Sequence, residues 1–234
     1  MRLHRFLVQD PSLGAQVELT DTELLHQWMK VLRFHVGEHV VLFDGKGNEG
    51  EYRIDDLGKH HATLARVHVR VPRIAMKNFA LLWSLLKKDK NEWVLQKATE
   101  IGVTHFLPIY AERTEKTGFP IDRATKIVRE AVEQSGRADI PEVHEPMVIY
   151  QALQEWSSTW QLVALDEGGI AIDTLKNEKP LAMLVGPEGG WSEREKNMFK
   201  MEGIPVVSIG AFTLRGETAA IVGSALMIEH GRTQ

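Results

Sequence analysis

Strand-like and helix-like segments alternate along the chain from residue 79 onward, and this alternation constrains the fold more than any other sequence feature. Apolar runs at 79–86 and 105–110 predict buried strands, and the apolar spacing over 89–101 and 121–134 predicts helices. Because strands joined by helices form a parallel sheet, we expect an α/β domain with a mainly parallel sheet. The same patterns predict further strands at 162–165, 181–185 and 206–209 and helices that begin at Ser192 and Glu217.

The amino-terminal part of the chain has a different, β-rich pattern. Thr20 followed three residues later by Glu23 is typical of a capped helix start. Short alternating segments then predict strands at 40–43, 52–54 and 62–71. We therefore interpret residues 1–74 as a small β-barrel-like domain and residues 75–234 as the α/β domain.

The composition excludes several kinds of chemistry. The chain has no cysteine, so disulfides, thiolate zinc sites and cysteine nucleophiles are absent. The histidine pairs, His35 with His39 and His60 with His61, have no carboxylate at ligand spacing, so we predict no metal site. Apolar runs are much shorter than the roughly 18 residues that suggest a membrane helix, and no secretory stretch follows the amino terminus. We expect a cytoplasmic protein.

Charge is not concentrated in a way that favours bulk binding of nucleic acid. The formal net charge is -4, from 28 Lys and Arg against 32 Asp and Glu. Residues 1–74 hold equal numbers of cations and anions, so the acidic excess lies in residues 75–234. Any contact with RNA must therefore come from the placement of particular cations.

Two strand–loop–helix segments near the end of the chain carry most of the chemical information. The first is a buried strand at 181–185, a glycine-rich loop at 186–190, and a helix start marked by Ser192 and Glu195. In open α/β sheets ligands lie outside the carboxyl ends of strands, where glycines allow the backbone to approach. The spacing is also compatible with a simple turn, and it is neither the Walker nor the Rossmann glycine pattern.

The second segment is a strand at 206–209, a loop, and a helix that begins near Glu217. Two such loops could form two walls of one pocket. From the residues alone, Arg215 and Glu217 could equally be a surface pair at a helix start.

Together these segments resemble the RsmE family of ribosomal RNA methyltransferases. The resemblance rests on Gly186-Pro187-Glu188-Gly189-Gly190 with Ser192 and Glu195, and on Ile209-Gly210 followed by Leu214-Arg215-x-Glu217-Thr218-Ala219. Further matching segments are Lys30-Val31-Leu32-Arg33, the stretch 96–103, Pro108 with Arg113, and Glu133-Gln134-Ser135-Gly136-Arg137.

The resemblance implies a PUA-like β-barrel at the amino end and a SPOUT domain with a trefoil knot at the carboxyl end. It also implies a homodimer that binds S-adenosylmethionine and methylates N3 of a uridine in 16S ribosomal RNA, free or within the small subunit. The cofactor contacts it implies are Leu165, Asp166, Glu167, Val185, Gly186, Pro187, Glu188, Gly189, Gly190, Ile209, Gly210, Leu214, Thr218 and Ala219.

For catalysis, the resemblance leads us to expect that Arg215 stabilises the uracil anion and that Glu217 orients either Arg215 or the base. A purely structural role for Glu217 at a helix start is the alternative. The RNA contacts that we expect are Lys30, Arg33, Arg66, Arg70, Arg73, Arg113 and Arg137. The sequence departs from the family pattern at Phe212, where many relatives carry arginine, at Gly216, where they carry threonine, and at Trp191, where they carry leucine.

Other functions stay open at this point. A SPOUT enzyme that acts on a ribose 2′-hydroxyl or on transfer RNA would share the fold and differ in the acceptor. A catalytically silent RNA-binding assembly factor is a second alternative, although the intact loops at 186–190 and 215–219 argue against it. A nucleotide hydrolase lacks the phosphate loop and the metal-binding carboxylates.

Overall fold

The computed structural model describes residues 3–8, 13–115, 118–176 and 179–233. The chain divides into two compact units. The first comprises residues 1–74 together with 132–140, and the second comprises residues 75–131 and 141–234. The segment 132–140 thus groups with the amino-terminal unit. It contains the last residues of a helix whose earlier residues belong to the second unit.

The amino-terminal unit contains a five-stranded sheet with the strand order β1-β3-β4-β5-β2. β1 pairs with β3 in parallel, and the other neighbours are antiparallel. Alternating burial along β2 and β4 shows one face turned to a core and the other to solvent. The strands are β1 (Arg5–Leu7), β2 (Gln16–Leu19), β3 (His39–Phe43), β4 (Glu49–Leu57) and β5 (Ala62–Val69).

One helix covers the core of this sheet. It begins as α1 (Thr22–His26) and continues as a π-helical segment (Gln27–Leu32), and its Leu25 and Trp28 are fully buried. The prediction that Thr20 caps this helix is wrong. Asp21 is the N-cap, because its carboxylate accepts from the backbone N–H of Glu23 at 2.9 Å and of Leu24 at 3.1 Å.

The second unit contains a parallel sheet of seven strands, as the alternating pattern predicts. The strand order is β12-β10-β11-β6-β7-β8, and β9 also pairs with β7. The strands are β6 (Phe79–Ser84), β7 (His105–Tyr110), β8 (Glu142–Val143), β9 (Met147–Val148), β10 (Gln161–Ala171), β11 (Leu181–Val185) and β12 (Val206–Ser208). The helices are α2 (Lys88–Ile101), α3 (Ile121–Ser135), α4 (Ile149–Trp156), α5 (Glu193–Met201) and α6 (Gly216–Thr233).

The central strands β6 and β11 are buried along their whole length, which explains their uninterrupted apolar sequences. β12 lies beyond β10, and the chain then returns as α6, which packs against α2, β6 and β11. This return crossing is where the family resemblance places the knot. Within the described ranges, no helix is long and apolar enough to cross a membrane.

The helices and strands that the sequence predicts in this unit are present, with small shifts at their ends. The strand expected at 162–165 is longer and runs through Gln161–Ala171. The short strands β8 and β9 and the helix α4 were not predicted. α4 is a single amphipathic helix of eight residues, and its Ile149, Leu153 and Trp156 are buried against the sheet.

Asn91 ties the start of α2 to the end of β6. Its side-chain oxygen accepts from Trp83 Nε1 and from the backbone N–H of Leu86, both at 3.0 Å, and its amide donates to the Leu86 carbonyl at 2.9 Å. We expect Asn91→Ala to lower the free energy of unfolding by about 2–4 kcal/mol, because these buried groups lose their partners. Gln96→Ala, at an exposed position of the same helix, should change it by less than about 0.5 kcal/mol in the same urea titration.

Candidate active site

A cavity of about 690 Å³ lies at the carboxyl ends of β11 and β12 and beside residues 165–167 of β10, where the pairing of β10 with β11 ends. Its walls are the loops that follow β11 and β12 together with these residues of β10, as expected for a ligand site in an open parallel sheet. Most of the predicted cofactor contacts line it, namely Leu165, Asp166, Glu167, Val185, Gly186, Pro187, Glu188, Gly189, Gly190, Ile209, Gly210, Leu214 and Ala219. Thr218 and Glu217 are not among the described residues that line it, whereas Arg215 is.

Trp191 fixes the first loop against β10 at Leu165, where the pairing of β10 with β11 ends. Its indole N–H donates to the Leu165 carbonyl at 2.8 Å, and the ring is buried edge-on against Phe199. A Cβ at Gly186 would come within 3.0 Å of the indole ring, so glycine allows the loop to lie this close. The sequence marked Trp191 as a departure from the family pattern but did not predict this contact.

Arg113 supports the same loop from the segment after β7. Its Nη1 donates to the carbonyl of Gly189 at 2.8 Å and to that of Trp191 at 3.4 Å. Arg113 was predicted to contact RNA. In this structure its guanidinium instead holds the backbone of a cavity wall, which leaves fewer of its donors for a nucleic acid.

The helix after the first loop begins at the predicted capping box. Ser192 Oγ accepts from the Glu195 backbone N–H at 3.1 Å, and Glu195 Oε2 accepts from the Ser192 N–H at 2.7 Å. Glu195 is fully buried, and its other oxygen accepts from the backbone N–H of Glu112 at 2.9 Å. One carboxylate therefore satisfies donors from two segments of the chain.

Two side-chain contacts hold the cavity walls formed by residues 166–167 of β10 and by the loop after β12. Thr213 donates its hydroxyl to Glu167, and Lys196 pairs with Asp166 at 2.6 Å. Phe212 also lines the cavity and is 85% exposed. The family's arginine at this position is thus replaced by an exposed apolar ring.

Lys90 is the one cation among the described lining residues that the sequence did not place in the pocket. Its Nζ lies 2.6 Å from Glu188 Oε1 and 3.3 Å from Glu217 Oε2, and it lines the cavity. The hydrogen bond from Lys90 holds the pKa of Glu188 below its usual value, and the same contacts raise the pKa of Lys90. The sequence does indicate this position for Lys90, because α2 begins just after the carboxyl end of β6, at the sheet edge where the two loops lie.

The two residues predicted to be catalytic are not in contact. Arg215 is exposed at the cavity wall, and its guanidinium forms no hydrogen bond or ion pair with the described residues. Glu217 pairs with Lys90 and not with Arg215. Of the two roles predicted for Glu217, orienting Arg215 has no supporting contact among the described residues, and orienting the base stays a prediction.

Comparison with known proteins identifies the family. A model of an RNA methyltransferase domain matches residues 75–228, and a model of an RNA methyltransferase PUA domain matches residues 29–65. The chain belongs to the family of ribosomal RNA small subunit methyltransferase E. The enzyme of that name from Aquifex aeolicus is 33% identical over 214 residues, which cover 89% of this chain and 92% of the relative. The one from Rickettsia conorii is 28% identical over 218 residues, with 91% and 89% covered.

Solved structures confirm the predicted SPOUT fold with an amino-terminal PUA-like domain. The methyltransferase E of Neisseria gonorrhoeae, bound to S-adenosyl methionine, has a TM-score of 0.85 and 30% identity, with 97% of both chains covered. A putative methyltransferase of Legionella pneumophila, in complex with the same cofactor, has a TM-score of 0.84 and 27% identity, again with 97% of both chains covered. The present protein is therefore an RNA methyltransferase of this family.

The cations predicted to contact RNA in the PUA-like part differ in their availability. All five of Lys30, Arg33, Arg66, Arg70 and Arg73 are exposed, but Arg70 pairs with Glu49 at 3.0 Å and Arg66 donates to the Leu13 carbonyl at 3.1 Å. The structure does not support the prediction that Arg137 contacts RNA. It is only 7% exposed and pairs with Asp139 at 2.6 Å, so its guanidinium serves the interior of its own unit.

Arg33 has an unusual backbone. It ends the π-helical segment in the left-handed region with φ 57°, and among the described residues other than glycine it is alone in having a positive φ. Both π-helical turns and left-handed residues other than glycine are concentrated at functional sites. This supports the choice of Lys30 and Arg33 as surface contacts.

Replacement of the Glu195 carboxylate tests how the first loop is held. Glu195→Gln keeps the shape but turns one acceptor oxygen into an amide donor, which faces either the Ser192 or the Glu112 N–H. We expect a loss of about 1–3 kcal/mol in the free energy of unfolding. The exposed neighbour Glu193→Gln should lose less than about 0.5 kcal/mol, and equal losses in the two variants would contradict the assigned role.

Proposed function

We propose that this protein uses S-adenosylmethionine to methylate N3 of a uridine in 16S ribosomal RNA. The observation that carries the proposal is the cavity walled by the loops 186–190 and 209–215, on a chain that matches methyltransferase E relatives over most of its length. Uridine N3 as the acceptor rests on the family resemblance. In this proposal residues 75–234 perform methyl transfer and residues 1–74 bind RNA.

The residues that line the cavity fit the proposed cofactor. Leu165 and Val185 provide apolar surface at the strand ends, and the glycine-rich loop provides backbone donors and acceptors suited to an adenine. The carboxylates of Asp166 and Glu167 lie on the same wall and suit ribose hydroxyls. When bound, the cofactor supplies an electrophilic methyl group on a cationic sulfur.

Arg215 is the residue best placed to act on the acceptor. The imide N3 of uracil is a poor nucleophile until its proton leaves, and the resulting charge spreads over the two flanking carbonyl oxygens. A guanidinium that is exposed at the cavity wall and has no partner among the described residues can donate to such an oxygen without first breaking another bond. We therefore keep Arg215 as a catalytic residue and regard Glu217 as a residue that holds Lys90.

The proposal includes a homodimer, a cytoplasmic location and either free 16S RNA or the assembled small subunit as substrate. Support for the dimer comes from α6, whose first residues line the cavity and which carries the exposed apolar side chains Val222 and Leu226 further along. The substrate assignment is supported by the names of the relatives and by the exposed cations Lys30 and Arg33.

The decisive experiment is methyl transfer from labelled S-adenosylmethionine to undermethylated small subunits, followed by nucleoside mass spectrometry. We expect 3-methyluridine from the wild-type protein. Arg215→Ala should lower the turnover rate by about 100-fold while cofactor affinity stays within about threefold, because Arg215 acts on developing charge. Arg232→Ala, exposed near the other end of α6, is the matched control and should keep normal turnover.

The outcomes separate the alternatives. A ribose-methylated nucleoside would keep the fold and overturn the uridine N3 acceptor. Cofactor binding without any transfer would favour a silent assembly factor. Normal turnover by Arg215→Ala would remove Arg215 from the catalytic residues.

The cations of the PUA-like part are tested by salt dependence. We expect Lys30→Gln with Arg33→Gln to weaken binding to the small subunit, and to reduce the slope of log K against log salt by about 1 for each phosphate that the variant no longer neutralises. Lys59→Gln, also exposed in this unit, is the control. An unchanged slope in the double variant would show that these two residues do not bind phosphates.

A further inference from the structure

Glu188 is surrounded by cations at the mouth of the cavity. It lies on the first loop and lines the cavity, and its side chain is 57% exposed. Lys90 contacts it directly at 2.6 Å, and Arg215 and Lys87 act on it electrostatically. The cavity wall thus presents the Glu188 carboxylate together with the two lining cations, Lys90 and Arg215, while the other lining carboxylates, Asp166 and Glu167, are held by Lys196 and Thr213.

This set of groups complements the edge of a uracil base. That edge presents an acceptor, a donor and an acceptor, namely O4, N3–H and O2. Lys90 and Arg215 can only donate hydrogen bonds, and an ionised glutamate can only accept them. A carboxylate with two cations therefore matches the uracil edge, group for group.

We propose that Glu188 binds the N3–H of the acceptor uracil and takes its proton, while Lys90 and Arg215 bind the flanking carbonyl oxygens. This inference rests on the proposed function. It moves Glu188 from the set of predicted cofactor contacts to the catalytic residues. The Lys90 ammonium has three donors, so it can keep Glu217 and still reach a carbonyl.

The step balances without any further reactant. The N3–H bond breaks and the proton passes to the Glu188 carboxylate. The N3 electron pair forms a bond to the methyl carbon, and the sulfur–methyl bond breaks with its electron pair remaining on sulfur. The products are 3-methyluridine and S-adenosylhomocysteine, and Glu188 then releases its proton to solvent.

The surrounding cations serve both partners in this transfer. The hydrogen bond from Lys90 holds the pKa of Glu188 below its usual value, so the carboxylate is ionised and can accept a hydrogen bond. Contact of cations with O4 and O2 stabilises the uracil anion and makes N3–H more acidic. The acidity gained by the substrate offsets the weak basicity of the carboxylate.

The arrangement also accounts for a choice between pyrimidines. Cytosine presents a donor at its amino group and an acceptor at N3. These groups would place a donor against a cation and a lone pair against a carboxylate. We expect the site to reject a cytidine at the target position.

Glu188→Gln tests the proposal, since it keeps the shape of the side chain and removes its capacity to take a proton. Single-turnover methyl transfer to small subunits should fall at least about 100-fold, and the cofactor Kd from calorimetry should stay within about threefold. Subunits assembled with 5-fluorouridine, whose N3–H is more acidic, should restore the variant's rate by a much larger factor than they change the wild-type rate. The variant's rate should also rise with pH more steeply than that of the wild type. Glu193→Gln is the matched control and should behave as the wild type does.

Each outcome decides a separate question. If wild-type protein makes no 3-methyluridine, the proposed function fails and this inference fails with it. If the wild type makes 3-methyluridine and Glu188→Gln does so at the same rate, this inference alone is overturned. A variant that loses cofactor binding and gains nothing from 5-fluorouridine would return Glu188 to the cofactor contacts.

Discussion

The hydrogen bond from the indole of Trp191 to the carbonyl of Leu165 is the contact on which the site depends. It joins β10, at the point where its pairing with β11 ends, to the loop after β11, and these two segments form adjacent walls of the cavity. A buried hydrogen bond contributes only about 1 kcal/mol net, but burial of the ring adds several more. The large side chain thus stabilises a loop made largely of glycine and proline, which has few side chains of its own to bury. Arg113 and Glu195 then hold the same region by bonding to backbone groups. Arg113 donates to the Gly189 carbonyl, and Glu195 accepts from the Glu112 N–H.

In this site, one set of residues fixes the path of the loop backbone and another set positions the charged groups. Trp191, Arg113 and Glu195 determine where the first loop runs, and none of them needs to touch the acceptor. Lys90 connects that loop to the start of α6 through Glu188 and Glu217. Since this pair of contacts is partly exposed, it contributes little to stability, and its value lies in where it places charge. The charged side chains Lys90, Glu188 and Glu217 can therefore change their hydrogen-bond partners without disturbing the backbone of the first loop.

Local patterns predicted much of the fold, and long-range contacts account for what they missed. Periodicity located the parallel strands, and the Ser192–Glu195 capping box was predicted because both of its partners lie within one helical turn. The helix start at Thr20 was wrong by one residue, since Asp21 offers a better acceptor than a hydroxyl. Lys90 was not placed in the pocket because its partner Glu188 is 98 residues away, beyond any local spacing rule, and only the start of α2 after β6 indicated its position. Arg137 was predicted to contact RNA because the sequence does not reveal that it is buried. Its burial beside Asp139 depends on tertiary structure. The family motifs, not the physical patterns, indicated the cofactor.

The departures from the family pattern acquire a physical meaning in this structure. A Cβ at Gly216 would come within 2.8 Å of Leu86 Cδ2, so here the leucine occupies space that a larger residue would need. Phe212 brings no charge to the wall, which leaves Lys90 and Arg215 as the cations among the described lining residues, against Asp166, Glu167 and Glu188. An acidic excess favours a cationic sulfur in the cavity and disfavours a free anion. A uracil anion in this cavity would therefore depend on both lining cations, Lys90 and Arg215, since the ring of Phe212 offers it no charge.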